Sequence, residues 1–122
     1  MMAPKEHDLG TRGEAAAERF LRRQRYTIVE RNYECSLGEV DLIALDRSVI
    51  VFVEVKARTD GAAGTPFEAV DRRKQRQLER VAKYYLSRHR LHGRDARFDV
   101  VGVWETDGEL RCELIRNAFE IS

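Results

Sequence analysis

Cysteine is scarce in this sequence of 122 residues, which contains only Cys35 and Cys112. The two cysteines lie far apart, and neither has a second cysteine or a histidine at the spacing of metal ligands. A disulfide-stapled secreted domain and a structural zinc site are therefore not expected. A chain of this length can bury a sufficient hydrophobic core in one domain without cross-links, so we predict a single domain over residues 1–122.

Long hydrophobic runs are also missing. The longest, such as Val49 to Val53, are far shorter than the roughly 20 residues that a membrane-spanning helix needs. The first ten residues contain no apolar stretch followed by a small-residue cleavage site, so the sequence predicts no signal peptide. We therefore expect a cytoplasmic protein without a membrane partner, in which residues 1–7 are flexible.

The net charge is small, +1 at pH 7, but it is unevenly distributed. Residues 71–97 contain ten Lys or Arg and three acidic residues, whereas residues 98–122 contain two and six. This segregation is typical of a protein that holds a polyanion with one surface and a divalent cation with another. A solvated, charged helix without a partner is an equal explanation of the basic segment alone.

Apolar periodicity predicts two helices and five strands in the order α-β-β-β-α-β-β. The first helix covers about residues 8–24, and the second follows a Gly-rich loop at 60–66. The predicted strands cover residues 26–33, 39–45, 49–57, 98–104 and 110–116. The sequence therefore indicates an α/β fold, with a mixed central sheet flanked by helices.

The second helix has an apolar face and a basic face. The apolar side chains are those of Leu78, Val81, Ala82, Tyr85 and Leu86. At 100° per residue, the opposite side carries Arg72, Arg73, Arg76, Arg80 and Lys83. Lys74 falls near the apolar stripe, so its side chain is predicted to point inward. These five residues and Lys74 are the candidate nucleic-acid contacts, best suited to backbone phosphates.

Acidic residues on two neighbouring strands form the candidate catalytic centre. In the third strand Glu54 and Lys56 share a face, about 6 to 7 Å apart. If the preceding hairpin turns through Arg47 and Ser48, Asp41 lies directly opposite Glu54, with Cβ atoms roughly 4.5 to 5.5 Å apart. A three-residue loop would instead move Asp41 to the other face of the sheet.

Two opposed carboxylates on an apolar sheet are destabilising unless something offsets their repulsion. Mg²⁺ or Mn²⁺ is the natural candidate, because such ions often use one or two protein carboxylates together with water and substrate phosphate. Lys56 could then orient the attacking water or stabilise transition-state charge. Alternatively, Lys56 only pairs with Glu54 or Asp41, without any chemistry. Glu39 is either a third acid or a solvated strand start, and we favour the latter.

The two strand motifs, Gly38 to Ile43 and Val51 to Arg58, resemble the signature of the YraN family of small bacterial proteins. Further matches extend from Gly10 to residues 97–101, so the resemblance covers most of the chain. It implies a restriction-endonuclease-like, or PD-(D/E)XK, core: a mixed sheet flanked by helices, with an acid followed by Glu-x-Lys and metal-dependent phosphodiester hydrolysis. Val40 stands where a proline often precedes the acid in that superfamily.

Within the superfamily the layout is similar to that of archaeal Holliday-junction resolvases, which place a helix-borne Glu before the two strand motifs. Glu14 has the matching position, although position alone favours an exposed acid. The resemblance thus implies four catalytic residues, namely Glu14, Asp41, Glu54 and Lys56, with Asp41 and Glu54 as metal ligands. Glu14 would be an additional ligand or a base-positioning group.

The resulting hypothesis is an Mg²⁺-dependent endonuclease that acts on DNA, including branched or single-stranded DNA. The alternative is a non-catalytic nucleic-acid-binding or partner-binding module that retains the same fold. The residues do not separate DNA from structured RNA. They also leave open a homodimer, in which two active sites would be related by symmetry.

Overall fold

The described residues form two long helices and five strands. The computed structural model describes residues 5–59 and 64–120, and the side chains from residue 9 onward. Helix α1 spans Lys5–Arg23 and helix α2 spans Arg72–Arg88, preceded by a short 3-10 turn at Phe67–Ala69. The strands are β1 (Thr27–Cys35), β2 (Gly38–Asp46), β3 (Val49–Thr59), β4 (Ala96–Thr106) and β5 (Glu109–Phe119). The predicted order of helices and long strands is confirmed.

The five strands form one sheet in the order β1-β2-β3-β4-β5. Strands β3 and β4 are parallel, and the other neighbouring pairs are antiparallel. A parallel pair needs a crossover connection, which is usually helical, and α2 lies within that connection. The predicted α/β class and mixed sheet are therefore confirmed.

The two helices cover opposite faces of the sheet. Because both faces are covered, the central strands are hydrophobic on both sides, as in β3, where Val51 and Phe52 are both buried. On the α1 face the core includes Ala17, Leu21, Val51, Val53, Val101 and Val103. On the α2 face it includes Ile50, Phe52, Leu78, Val81, Phe98 and Val100.

The bounds of several elements differ from those predicted. Of residues 1–7, which the sequence predicts to be flexible, 1–4 lie outside the described residues and 5–7 form the start of α1. Strands β4 and β5 are longer than predicted because they pair with each other from Thr106–Glu109 to Phe98–Phe119. In the predicted Gly-rich loop, residues 60–63 lie outside the described part of the chain.

The two helices are also too polar or too short for a bilayer. None of the helices within the described ranges is long and apolar enough to cross a membrane.

Candidate active site

The β2–β3 hairpin sets the register of the candidate site. Its turn is the two-residue segment 47–48, and Leu42 pairs with Val53. This is the register that the sequence predicts for a two-residue turn. Asp41 and Glu54 are therefore the residues that follow the Leu42–Val53 pair, on the side away from the turn.

Asp41 lies where the paired ladder of β2 and β3 ends. The ladder runs as far as Leu42, and at the next residue Oδ2 of Asp41 accepts a hydrogen bond of 2.8 Å from the main-chain N–H of Val55. Val40 packs in the core on the α2 face, whereas Leu42 packs on the α1 face, so the alternation of β2 is broken at Asp41. The side chain of Asp41 therefore lies between the two strands, where the main-chain hydrogen bond holds its carboxylate.

Glu54 is the buried acid of the site, with only 4% of its surface exposed. Its Oε2 lies 3.5 Å from Nζ of Lys56 and 3.4 Å from Nζ of Lys74. Lys56 is two residues further along β3, and Lys74 belongs to the first turn of α2. The buried carboxylate is thus approached by one ammonium group from the sheet and another from the helix.

The environment of Glu54 changes its acidity. Burial raises the pKa of Glu54 to about 7, and the neighbouring carboxylate of Asp41 adds to the rise, whereas Lys74 and Lys56 act to lower it. Two nearby ammonium groups are therefore not enough to restore an ordinary carboxyl pKa. A buried acid that titrates near neutral pH beside a second carboxylate readily takes up a proton or a cation.

Glu14 reaches the same region from α1. A Cβ atom at Gly13 would lie 3.2 Å from a side chain of β3, so this glycine permits the close approach of the helix. Burial and then the charge of Asp41 raise the pKa of Glu14, the side chain of Asn32 lowers it, and Glu39 raises it. The charge of Asp41 therefore influences both Glu14 on α1 and Glu54 on β3.

Asp41 and Glu54 provide two carboxylates as candidate metal ligands. Within residues 5–59 and 64–120, no group of three or more His, Cys, Asp or Glu side chains is arranged to hold a metal ion. Glu14 therefore does not complete a three-acid cluster, and Glu39 is exposed at the start of β2. Two carboxylates suit Mg²⁺ or Mn²⁺, which retain water ligands and bind phosphate oxygens. A dication would also offset the repulsion between Asp41 and Glu54, so the donor set fits such an ion.

The basic side of α2 is exposed beside this site. The exposed basic residues are Arg72, Arg73, Arg76, Arg80 and Lys83, of which Lys83 forms an ion pair of 3.0 Å with Glu79. Lys74 is half-buried and points inward, as its position in the helix predicts. A groove of about 370 Å³ is lined in part by Arg73, Lys74 and Arg80, so it connects the exposed basic side with the lysine at Glu54.

The contact between Lys74 and Glu54 and the role of Gln77 are not predicted from the sequence. Nζ of Lys74 donates a hydrogen bond of 3.1 Å to Oε1 of Gln77. Gln77 in turn packs against Gly38, where an added Cβ would lie 2.8 Å from the Gln77 amide nitrogen. The only local signal for this arrangement was the position of Lys74 beside the apolar stripe of α2.

A second buried polar cluster lies on the α1 face, toward the start of β3. Asp99 is 1% exposed and accepts hydrogen bonds from the Tyr26 hydroxyl at 2.6 Å, from Nε of Arg97 at 2.9 Å and from the main-chain N–H of Asn117 at 3.0 Å. Arg97 also donates to Asp46 at 2.9 Å. These groups satisfy one another, which indicates that the cluster stabilises the fold.

Known proteins match this chain over nearly its whole length. The model of the family described as "Uncharacterised protein family UPF0102" matches residues 13–103. A UPF0102 protein of Moorella thermoacetica is 49% identical over 113 residues, covering 90% of this chain and 93% of the relative. A UPF0102 protein of Symbiobacterium thermophilum is 51% identical over 112 residues, covering 91% and 95%. A third, of Desulfosudis oleivorans, is 46% identical over 119 residues, covering 98% and 95%.

Proposed function

We propose that this chain, which belongs to the uncharacterised protein family UPF0102, hydrolyses phosphodiester bonds of DNA in a reaction that depends on a divalent metal ion. The observation that carries the proposal is the environment of Glu54, a buried carboxylate with a pKa of about 7 beside Asp41, Lys56 and Lys74. Placing the half-buried carboxylate of Asp41 beside the buried carboxylate of Glu54 destabilises a fold unless another group compensates. Their juxtaposition is explained if the site binds a cation and a phosphate.

The proposal includes a restriction-endonuclease-like core. It is supported by the order of the parts: a helix-borne Glu14, an acid on β2, and Glu54 and Lys56 two residues apart on β3, in a mixed sheet with a helix on each face. One fold can host many functions, so this likeness is secondary to the chemistry of the site.

Asp41 and Glu54 are the residues that would hold Mg²⁺ or Mn²⁺. When bound, such an ion supplies Lewis-acid polarisation of the scissile phosphate and offsets negative charge. The hydrogen bond from the Val55 N–H fixes one oxygen of Asp41. Binding a dication requires Glu54 to be ionised, so the proposed activity should rise with pH through neutrality.

Lys56 is the residue proposed to act on the attacking water. About 30% of its side chain is exposed, so the ammonium group is accessible to water and substrate while it remains 3.5 Å from Glu54. An ammonium at this place can orient the water and stabilise negative charge that develops on the phosphate. Lys74 acts through Glu54 as a positioning residue. Glu14, which does not complete a three-acid cluster within the described residues, is proposed as a base-positioning group.

The exposed basic side of α2 is proposed to bind backbone phosphates. Contacts of this kind supply affinity that falls steeply with salt and carry little sequence information. The groove lined by Arg73, Lys74 and Arg80 leads from that side toward Glu54. Arg72, Arg76 and Arg80 are exposed, so alanine at these three positions should weaken DNA binding and reduce its salt dependence. Unchanged binding would show that the basic side is a solvated helix face.

The first experiment is a cleavage assay with Mg²⁺ and with Mn²⁺ on linear duplex, single-stranded, flapped and four-way-junction DNA. The wild type should cleave DNA in this assay, and the Asp41→Asn variant should not. Asp107→Asn, the same chemical change at the exposed tip of the β4–β5 hairpin, should leave cleavage unchanged. A structured RNA in the same panel separates a ribonuclease from a deoxyribonuclease.

A non-catalytic module would be favoured by tight DNA binding of the wild type without cleavage of any substrate in the presence of either metal. Asp41→Asn and Glu54→Gln would then preserve the binding function, because neither carboxylate would take part in chemistry. Equal cleavage by the wild type and Asp41→Asn would point to a contaminating nuclease.

A further inference from the structure

Two groups of charged residues lie on different sides of helix α1. At 100° per residue, Arg12, Arg19 and Arg23 fall within a narrow sector, and Glu14 and Glu18 fall on the opposite side of the helix. The acidic flank points toward the candidate active site and β1. The basic flank points toward β5. The proposed function uses the acidic flank and leaves the basic flank without a role.

An open groove of about 410 Å³ lies between this basic flank and β5. We call it the α1–β5 groove. Its lining includes the three arginines, small side chains of α1 at Ala15 and Ala16, and Leu110 and Cys112 of β5. Because the neighbouring side chains of α1 are small, the guanidinium groups are the side-chain groups that project furthest at the groove.

The three arginines differ in how far their charges are neutralised. Nη1 of Arg12 pairs with Oε2 of Glu105 at 2.9 Å, and Nη2 donates to the carbonyl oxygen of Gly108 at 3.0 Å. Arg19 and Arg23 are exposed, and within the described ranges neither forms an ion pair with a carboxylate. The groove therefore has one arginine fixed to the hairpin and two whose donors face solvent.

The Cys112 thiol supports this placement of the two exposed arginines. Burial raises the pKa of Cys112, while the positive charges of Arg23 and Arg19 act to lower it. Both guanidinium groups are thus close enough to influence a side chain of the groove. A neighbouring anion would experience the same positive field.

We propose that the α1–β5 groove binds the sugar-phosphate backbone of a second nucleic-acid segment; this rests on the proposed function. Guanidinium groups bind phosphate oxygens through paired, charge-assisted hydrogen bonds. Helices α1 and α2 cover opposite faces of the sheet, so the groove and the basic side of α2 face away from each other. Duplex DNA is stiff over a length of about 150 base pairs, so one straight duplex cannot contact both surfaces. The preferred substrate is therefore branched, with one arm on α2 and another in the groove.

The proposal is tested by binding, with Asp41→Asn present throughout to prevent cleavage. Arg19→Gln with Arg23→Gln should weaken binding of a four-way junction on the order of tenfold and lower the salt slope by about 2. Binding of a linear duplex should change much less. The matched control, Arg22→Gln with Arg88→Gln, removes two positive charges outside the groove and should affect both DNAs equally and slightly.

Alkylation of Cys112 provides a second readout, which reports on the groove itself. A bound junction should slow the reaction of Cys112 with a thiol reagent, and the groove double variant should remove this protection. Cys35 lies on β1, outside the groove, and serves as an internal reference.

The possible failures are distinguishable. If the junction binds, and Arg76→Gln with Arg80→Gln weakens it, while the groove variant and Cys112 alkylation show no effect, then the groove proposal is wrong and the proposed function stands. If the protein with Asp41→Asn alone binds none of the nucleic acids, both are wrong.

Discussion

Nζ of Lys74 lies 3.4 Å from Oε2 of Glu54 and thereby joins the first turn of α2 to the middle of β3. The start of this helix is fixed by Asp71, whose side chain accepts a hydrogen bond of 2.9 Å from the main-chain N–H of Lys74. This N-cap holds the turn from which the Lys74 side chain extends toward the sheet. The same helix therefore presents arginines to solvent and a lysine to the buried acid.

Replacing Lys74 with methionine should shift the titration of Glu54. Methionine keeps the apolar stem and removes the charge that lowers the pKa of Glu54. We expect the pH at which metal-dependent cleavage rises to increase by on the order of 1 pH unit. An NMR titration of the Glu54 carboxyl carbon measures the same shift in pKa without a cleavage assay. Lys83→Met is the control, because Lys83 pairs with Glu79 on the helix surface, and an identical shift in both variants would contradict the prediction.

Replacing Glu54 with glutamine should stabilise the metal-free protein at high pH. The pKa of Glu54 is raised from 4.5 to about 7, so between these values the folded protein holds a proton that the unfolded chain releases. The contribution of this proton to the free energy of unfolding is fully present below about pH 4.5. It is lost as the pH rises through about 7. Glu54→Gln does not ionise, so its free energy of unfolding should exceed that of the wild type by about 2 kcal/mol near pH 8.

Urea unfolding at two pH values checks this prediction. The difference between Glu54→Gln and the wild type should be small near pH 5 and large near pH 8, whereas Glu39→Gln, at an exposed position, should show little difference at either. Adding Mn²⁺ should stabilise the wild type and not the variant, because only the folded wild type has both carboxylates. A difference that does not depend on pH would argue against ionisation of Glu54 as its cause.

Gly13 and Gly10 provide a matched pair of substitutions in α1. Gly10→Ala meets no atom within 4 Å, so it should stabilise the helix by about 0.5–1 kcal/mol. Gly13→Ala places a Cβ 3.2 Å from the Cβ of Ala57, so α1 and β3 must separate slightly at this point, next to Glu14. We expect Gly13→Ala to lack the gain in stability expected for Gly10→Ala and to cleave DNA more slowly than the wild type. Comparison of thermal unfolding and turnover for the two variants measures both effects, and equal behaviour would contradict them.

The buried Asp99 cluster should contribute to stability without affecting catalysis. Asp99→Leu leaves the Tyr26 hydroxyl and the Arg97 guanidinium without their shared acceptor, and loss of one partner of a buried charge pair costs roughly 3–5 kcal/mol. Tyr26→Phe removes the hydroxyl that donates to Asp99 and accepts from Arg97 and Arg116, and it should cost about 1–3 kcal/mol. Urea unfolding measures the loss, while the cleavage rate per folded molecule of Tyr26→Phe should remain that of the wild type. A large fall in that rate would place the cluster in the active site.

The register of the site could be predicted from the sequence because it depends on local geometry. A two-residue turn at 47–48 is sufficient to predict the register of the β2–β3 hairpin, and the observed pairing of Leu42 with Val53 confirms it as far as the residues next to Asp41 and Glu54. The resemblance to the YraN family is likewise confirmed, since the family model matches residues 13–103.

Other features depended on contacts that no local pattern determines. The approach of Lys74 to Glu54 is set by how α2 packs on the sheet after a long crossover. The Asp99 cluster joins side chains from segments as far apart as Tyr26 and Arg116, whose Nε donates to the Tyr26 hydroxyl at 3.2 Å. The break in alternation at Asp41 could not be predicted locally either. It depends on the packing of Val40 and Leu42 in different cores, on opposite faces of the sheet.

The topology also determines when the site is assembled during folding. The β2–β3 hairpin is a local unit of a kind that forms in about 1–10 μs, whereas the parallel pairing of Ile50 with Ala96 must close a long loop. We therefore expect Asp41 and Glu54 to come together before α2 docks and supplies Lys74. Their repulsion acts on an early species that lacks this lysine, so we expect divalent cations or mild acid to accelerate folding of the wild type but not of Glu54→Gln.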